Sequence, residues 1–284
     1  MKIICFAFIL VISFSHVFAQ KSNRNHTKKS HLELPHIEVI PVTETRTGRQ
    51  YDLYVKLPEG YSENDHIEYP VIYFTDAMWH VELLSGITAY IMEKAILVGV
   101  SWQKDIDKDL KKEVGVHVSR YRDYSIRKSN DKERQARYQF GAANNHLNFI
   151  RNDVITYVEN NYRTEADNRT YFGYSMGGEL GAYILLTQPD TFRNYILGSP
   201  SLHNDIQLLS EFKFKHKRLN ANVFISYGAL EKKLGKSAKT FIGMLKSRND
   251  TSLFLKHIVI EGSHQTAFPI TCVQGIHWLS DLIK

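Results

Sequence analysis

A serine that attacks an acyl group needs three kinds of help: a base to take its proton, an acid to orient that base, and N–H donors for the oxyanion. Gly173-Tyr174-Ser175-Met176-Gly177 is a G-x-S-x-G pattern. Thr170-Tyr-Phe172 before it reads as a strand, and Leu180, Ile184 and Leu185 after it recur at helical spacing. Strand, sharp turn and helix are the context in which this pattern carries a nucleophile. The turn lifts the Ser175 hydroxyl above the sheet, and the glycines leave room where side chains would collide. The following helix offers free N–H groups and the positive end of its dipole to a developing oxyanion. The Met176 N–H is the expected first donor.

A base and an acid should follow in the order carboxylate, then histidine. Past the apolar run Val223-Phe-Ile225 comes Tyr227-Gly-Ala-Leu-Glu231, and past Ile258-Val-Ile260 comes Glu261-Gly-Ser-His264. Each candidate lies just beyond the C-terminal end of a strand, the edge where open α/β sheets hold their sites. His264 is therefore the expected general base and later acid, and its position singles it out from the chain's 13 histidines. Glu231 is the expected orienting carboxylate, with Asp205 in reserve. Glu231 also reads as a surface acid starting a helix beside Lys232 and Lys233. A second oxyanion donor is expected from the loop Thr75-Asp-Ala-Met-Trp79, as the Ala77 or Met78 N–H. Trp79, Trp102, Arg120, Arg122 and His203 are the candidate substrate-binding residues. Tryptophan with arginine suits aromatic, anionic acyl groups. Arg120 and Arg122 read equally well as structural partners of Asp123.

The elements that must position these groups alternate between two periodicities. Tyr51, Leu53, Val55 and Leu57 alternate with polar neighbours, as in a half-buried strand ending at Pro58. Val71-Ile-Tyr-Phe74 and Ile96-Leu-Val-Gly-Val100 are continuous apolar runs, as in central parallel strands covered on both faces. Tyr195-Ile-Leu197 belongs to the same set. Leu147, Ile150, Val154, Ile155 and Val158 recur at helical spacing, as do Phe241, Met244 and Leu245, and a last helix is expected around residues 269–283. This alternation predicts an α/β fold with a mainly parallel, doubly wound sheet. Residues 104–137 are long, charged and poor in apolar periodicity, and their place before the Ser175 segment predicts a cover over the site.

Composition sets the outer bounds. The 284 residues are 43% hydrophobic and 23% charged, which indicates a globular chain with a substantial core. Lys2, an apolar run over residues 3–17 and small residues ending at Ala19 predict a secretory signal peptide over residues 1–19, and no stable membrane insertion once it is cleaved. Residues 20–36 read as a flexible polar leader, and residues 37–284 as the catalytic domain. Cleavage would leave Cys272 as the single cysteine, so stability must come from packing and not from an internal disulfide. The net charge of +6 is a mild bias that fits an anionic ligand. No dense basic stripe with stacking aromatics points to nucleic acid. No metal motif is apparent, since His80-Val-Glu82 lacks the cysteine pair of a deaminase-type zinc site, and no cofactor is expected. Asn25, Asn168 and Asn249 open glycosylation-type triplets.

Phe172-Gly-Tyr-Ser-Met-Gly-Gly178 and Gly198-Ser-Pro-Ser201 carry a resemblance to the putative-esterase family of α/β-hydrolases. Ser119-Arg-Tyr-Arg-Asp-Tyr124, Gly228-Ala-Leu-Glu231 and Gly262-Ser-His264 support it, and it extends over residues 39–282. That family includes esterase D, feruloyl and acetyl esterases, and siderophore trilactone esterases. The resemblance implies an α/β-hydrolase fold of about eight strands with helices on both faces, and a triad of Ser175, Glu231 and His264. The chain departs from the family where members often carry Asp-Gly and it has Asp76-Ala77. The resulting expectation is a serine esterase acting on a small-molecule ester, with a catecholate siderophore lactone first and a cell-wall feruloyl or acetyl ester second. Acyl transfer by the same triad and ligand binding on a non-catalytic hydrolase scaffold are the alternatives.

Overall fold

The computed structural model describes residues 37–63 and 66–283. The expected signal peptide, polar leader and Asn25 triplet lie outside the described residues. Among those described, eight strands follow one another: β1 (Ile37–Thr43), β2 (Gln50–Lys56), β3 (Val71–Phe74), β4 (Ile96–Val100), β5 (Thr170–Tyr174), β6 (Asn194–Gly198), β7 (Ala221–Gly228) and β8 (Leu253–Ile260). They form one sheet in the order β1-β2-β4-β3-β5-β6-β7-β8. β1 pairs antiparallel with β2, and β2 antiparallel with β4. The remaining pairings are parallel.

Burial on both faces explains the continuous apolar runs of β3 to β7, whereas Ile258-Val-Ile260 lies in the edge strand β8 with Val259 exposed. Successive strand residues point to opposite sides. Tyr171 and Leu197 enter one core with Leu147, Val154, Leu180 and Phe241. Phe172 and Ile196 enter the other with Leu84, Ile276 and Leu279. The second core is roofed by α1 (Ala77–Ile91) and the last helix, which runs from His264 to Leu282. Each fully buried leucine or phenylalanine here contributes about 1.5–3 kcal/mol.

Residues 104–140 hold three short helices: α2 (Lys108–Val114), α3 (Arg120–Asp123) and α4 (Lys132–Tyr138). α2 and α4 bury no residue, so apolar periodicity could not announce them. Their caps do the organising. Asp107 accepts from the Asp109 and Leu110 N–H groups, and Asp131 from the Arg134 N–H. The stripe from Leu147 to Val158 is one helical rod in three pieces: α5 (Ala143–Phe149), a π-helical stretch over Ile150–Ile155, and α6 (Thr156–Asn161). Next come α7 (Met176–Thr187), α8 (Ile206–Phe212), α9 (Lys232–Lys246) and α10 (His264–Leu282).

α10 begins five residues before the position the sequence suggested. Ser263 and Thr266 form a reciprocal capping box that starts the helix at His264, and Pro269 is carried inside it. A proline there forfeits one intrahelical bond. The earlier start decides where the candidate base sits.

Candidate active site

β3 connects through α1 to β4 on one side, and β5 connects through α7 to β6 on the other. The chain thus reverses its winding between β3 and β5, which opens a crevice at their C-terminal ends. Both flanking helices point their N-termini into that edge.

Ser175 occupies the turn from β5 to α7 with φ 58° and ψ −117°, a conformation that costs a non-glycine residue about 1–3 kcal/mol. The turn is pinned from both sides. The Ser175 N–H donates to the Gly198 carbonyl at 2.9 Å, and the Ser201 N–H donates to the Ser175 carbonyl at 3.0 Å. The two glycines of the motif are explained by contact. A Cβ at Gly173 would lie 2.3 Å from the Gly177 carbonyl oxygen, and one at Gly177 would lie 2.3 Å from Thr75 Oγ1. The second contact shows that the first turn of α7 rests against the loop leading into α1.

The expected oxyanion donors share this junction. Met176 is the first residue of α7, and Ala77 and Met78 are the first two of α1. N–H groups at these positions have no acceptor within their own helix. Asp76 precedes them in the left-handed region, at φ 58°. Its fully buried carboxylate accepts from Trp102 Nε1 at 2.6 Å and pairs with Arg120 Nε at 2.6 Å. Its N–H donates to the Tyr124 hydroxyl at 3.3 Å. Arg120 and Trp102 are therefore committed to holding the start of α1.

The candidate acid and base are in direct contact. Glu231 Oε1 and His264 Nδ1 are 2.5 Å apart. A carboxylate acceptor places the proton on Nδ1 and leaves the Nε2 lone pair free, the tautomer a general base requires. Glu231 Oε2 accepts from the Gly228 N–H at 2.5 Å and from the Ser199 hydroxyl at 2.7 Å. The Tyr174 hydroxyl donates to the His264 carbonyl at 2.6 Å, and the Tyr174 ring lies 5.1 Å from the imidazole. The hydroxyl of Ser175 is hydrogen-bonded to Ser201 at 3.2 Å. Nucleophile-to-base bonds are often long before substrate arrives.

The reserve acid Asp205 lies elsewhere, paired with Arg127 Nε at 2.6 Å and facing Glu179. Burial and the neighbouring Asp205 carboxylate raise the Glu179 carboxyl well above its ordinary range. A cavity of about 520 Å³ opens here. Met176, Ser201 and His203 line one side, and Tyr121, Arg127 and Phe140 from the 104–140 segment line the other.

The five substrate-side candidates separate. Trp79, Trp102 and Arg120 cluster, with the two indoles 4.6 Å apart edge to face and the Arg120 guanidinium 4.9 Å from the Trp79 ring. Trp79 and Met78 are about half exposed in the first turn of α1, so they present the accessible apolar surface there. His203 belongs to the cavity beside Asp205, and burial together with Lys233 lowers its pKa. Arg122 joins neither group. It is buried, and its guanidinium is spent on Asp123 at 2.7 Å and the Tyr51 hydroxyl at 3.2 Å. His80 is a packing residue, with Nδ1 donating to the Thr75 carbonyl at 3.0 Å and its ring stacked on Phe268. Ser199, Ser201 and Tyr174 received no role from sequence, although each lies in a segment that carries the family resemblance.

The sheet order and its reversal point between β3 and β5 define the class as the α/β-hydrolase fold. Residues 44–276 match the family described as putative esterase, and the chain belongs to that family. It is 28% identical over 185 residues to the ferri-bacillibactin esterase BesA of Bacillus subtilis, an alignment spanning 60% of each protein. An IroE-like serine hydrolase from Shewanella oneidensis superposes with a TM-score of 0.73 at 20% identity, over 86% of this chain and 80% of that one. The BES protein from Bacillus cereus superposes with a TM-score of 0.72 at 22% identity, over 89% and 98%.

Proposed function

We propose that the chain hydrolyses carboxylic esters through an acyl-enzyme on Ser175. The observation that carries this reading is the 2.5 Å contact between Glu231 and His264 Nδ1, on the same sheet edge as the strained Ser175 turn. Ser175 Oγ attacks the carbonyl carbon as its proton passes to His264 Nε2. The oxyanion is held by the Met176 N–H and by Ala77 or Met78. The imidazolium then gives its proton to the departing alcohol oxygen. Water, deprotonated by His264, attacks the acyl-enzyme, and the proton returns to Ser175 Oγ as the acid product leaves.

The substrate we propose is a catecholate siderophore lactone. The similarity to a ferri-bacillibactin esterase supports it. So do the exposed Trp79 and the cavity lined by Tyr121, Phe140 and Arg127 beside Met176. Aromatic faces and guanidinium groups together suit anionic aryl rings. Export of residues 20–284 after cleavage of residues 1–19 completes the reading. Among the described residues, no helix is long and apolar enough to cross a membrane.

The test uses residues 20–284 and their Ser175→Ala variant. Hydrolysis of p-nitrophenyl acetate should fall by at least about 10⁴-fold in the variant with the fold intact. A ferric catecholate trilactone should then be cleaved with a higher kcat/KM than a feruloyl ester. The reverse preference would assign the cell-wall ester. Tight ligand binding without turnover by either protein would assign a binding module.

A further inference from the structure

Ser199 directly follows β6, in a backbone conformation that favours glycine. Its φ is 39°, and it is fully buried. Its N–H donates to the Ser226 carbonyl at 2.7 Å, so the backbone there is fixed by the sheet edge. A serine bears a strain at this φ that a glycine would not. What serine adds is one hydroxyl, 2.7 Å from Glu231 Oε2 and 3.0 Å from the Tyr174 hydroxyl. Tyr174 spends its own proton on the His264 carbonyl. The single Ser199 proton thus has two acceptors, and the charged one binds it more strongly.

We propose that Ser199, with Tyr174, is a positioning residue for the acid and base of the reaction. The inference rests on the triad reading above. Ser199 and the Gly228 N–H immobilise Oε2 of Glu231, which directs Oε1 at His264 Nδ1. Tyr174 meanwhile anchors the backbone of His264 from the strand that carries the nucleophile. Acid, base and nucleophile are thereby tied to one another through two hydroxyls. The strain at Ser199 is retained because relieving it with glycine would remove the hydroxyl.

The test compares Ser199→Gly, Ser199→Ala, Tyr174→Phe and Ser175→Ala in the full exported chain, with p-nitrophenyl acetate as probe. Ser199→Gly relieves the strain and should melt no lower than Ser199→Ala, which keeps it. Both should lose kcat by about 10- to 100-fold, the worth of a hydrogen bond to a charged group, with little change in KM. The acid limb of their pH–rate profiles should move to higher pH, because a carboxylate lacking a donor holds a proton, its own or that of His264, more tightly. Tyr174→Phe should lower kcat in the same way. A Ser199→Gly enzyme with wild-type kcat and an unmoved acid limb, beside an inactive Ser175→Ala, overturns the proposal alone. So does a Ser199→Gly enzyme whose melting temperature and kcat fall together, since the hydroxyl then only maintains the fold. Retained activity in Ser175→Ala brings down the triad reading itself.

Discussion

At the scale of single residues, the site is built from side chains whose alternatives are excluded by contact or by charge. Gly177 is fixed by Thr75 Oγ1, 2.3 Å from where a Cβ would stand. Gly177→Ala must push α7 away from the loop that begins α1, separating Met176 from Ala77 and Met78. Overpacking of this kind costs about 1–3 kcal/mol. The expected outcome is a lower denaturation midpoint and a kcat loss exceeding what the unfolded fraction explains. A variant equally stable and equally active would show that the two helix starts do not cooperate. Arg120 illustrates the charge argument. It neutralises the fully buried Asp76 carboxylate, so Arg120→Met strands a buried charge at a cost of about 3–5 kcal/mol. Chemical denaturation measures it, and a loss below 1 kcal/mol would mean that Trp102 alone suffices for Asp76. Trp79 is the accessible member of that cluster. Trp79→Ala is expected to raise KM for esters of aromatic acids while leaving p-nitrophenyl acetate hydrolysis nearly unchanged.

At the scale of elements, the polar segment over residues 104–140 is fastened to the α/β core through charge. Arg127 pairs with Asp205 at the start of α8, and Asp205 faces Glu179 on α7. Burial first and Asp205 second push the Glu179 carboxyl up, while the Ile126 N–H and Arg127 oppose the shift only in part. Its carboxyl pKa is raised in the folded protein relative to the unfolded chain. The folded state therefore binds the extra proton, and stability falls as pH rises from about 4.5 toward the raised folded value. Glu179→Gln keeps a donor to Asp205 and cannot ionise, so this part of the pH dependence should vanish. Thermal melts of both proteins between pH 4 and 9 decide it, and parallel curves would remove Glu179 from the account. The Asp107 and Asp131 caps of α2 and α4 could have been read from sequence as aspartates opening short polar segments. With no buried face behind them, the caps were the only local signal.

At the scale of the whole molecule, the buried members of both cores among the described residues lie between Tyr51 and Leu279, with Ile37, Ile40 and Val42 of β1 packed against them. A chain starting at residue 37 should therefore unfold in one transition with the midpoint of a chain starting at residue 20. A lower midpoint would assign the leader a structural part. The net charge of +6 gives a second expectation. Anionic aryl esters should lose kcat/KM as salt rises from 0.05 to 0.5 M, as the Debye length shortens from roughly 14 to 4 Å, while p-nitrophenyl acetate should not.

The sequence by itself determined the layered α/β arrangement, because strands covered on both faces leave short continuous apolar runs and one-sided helices leave a period of 3.6, signals that need no knowledge of the fold. It also determined the Ser175 turn, whose five residues are contiguous and whose steric demand is local. Tertiary structure alone decided which carboxylate reaches His264. Glu231 and Asp205 both follow parallel strands, and only the register of β7 beside β8 brings Glu231 within 2.5 Å of Nδ1. It alone decided that Arg120 serves Asp76 while Arg122 serves Asp123, although the two arginines are two residues apart. Side chains that differ by about 200° around a helix meet different partners, and which partners wait there depends on strands distant in sequence.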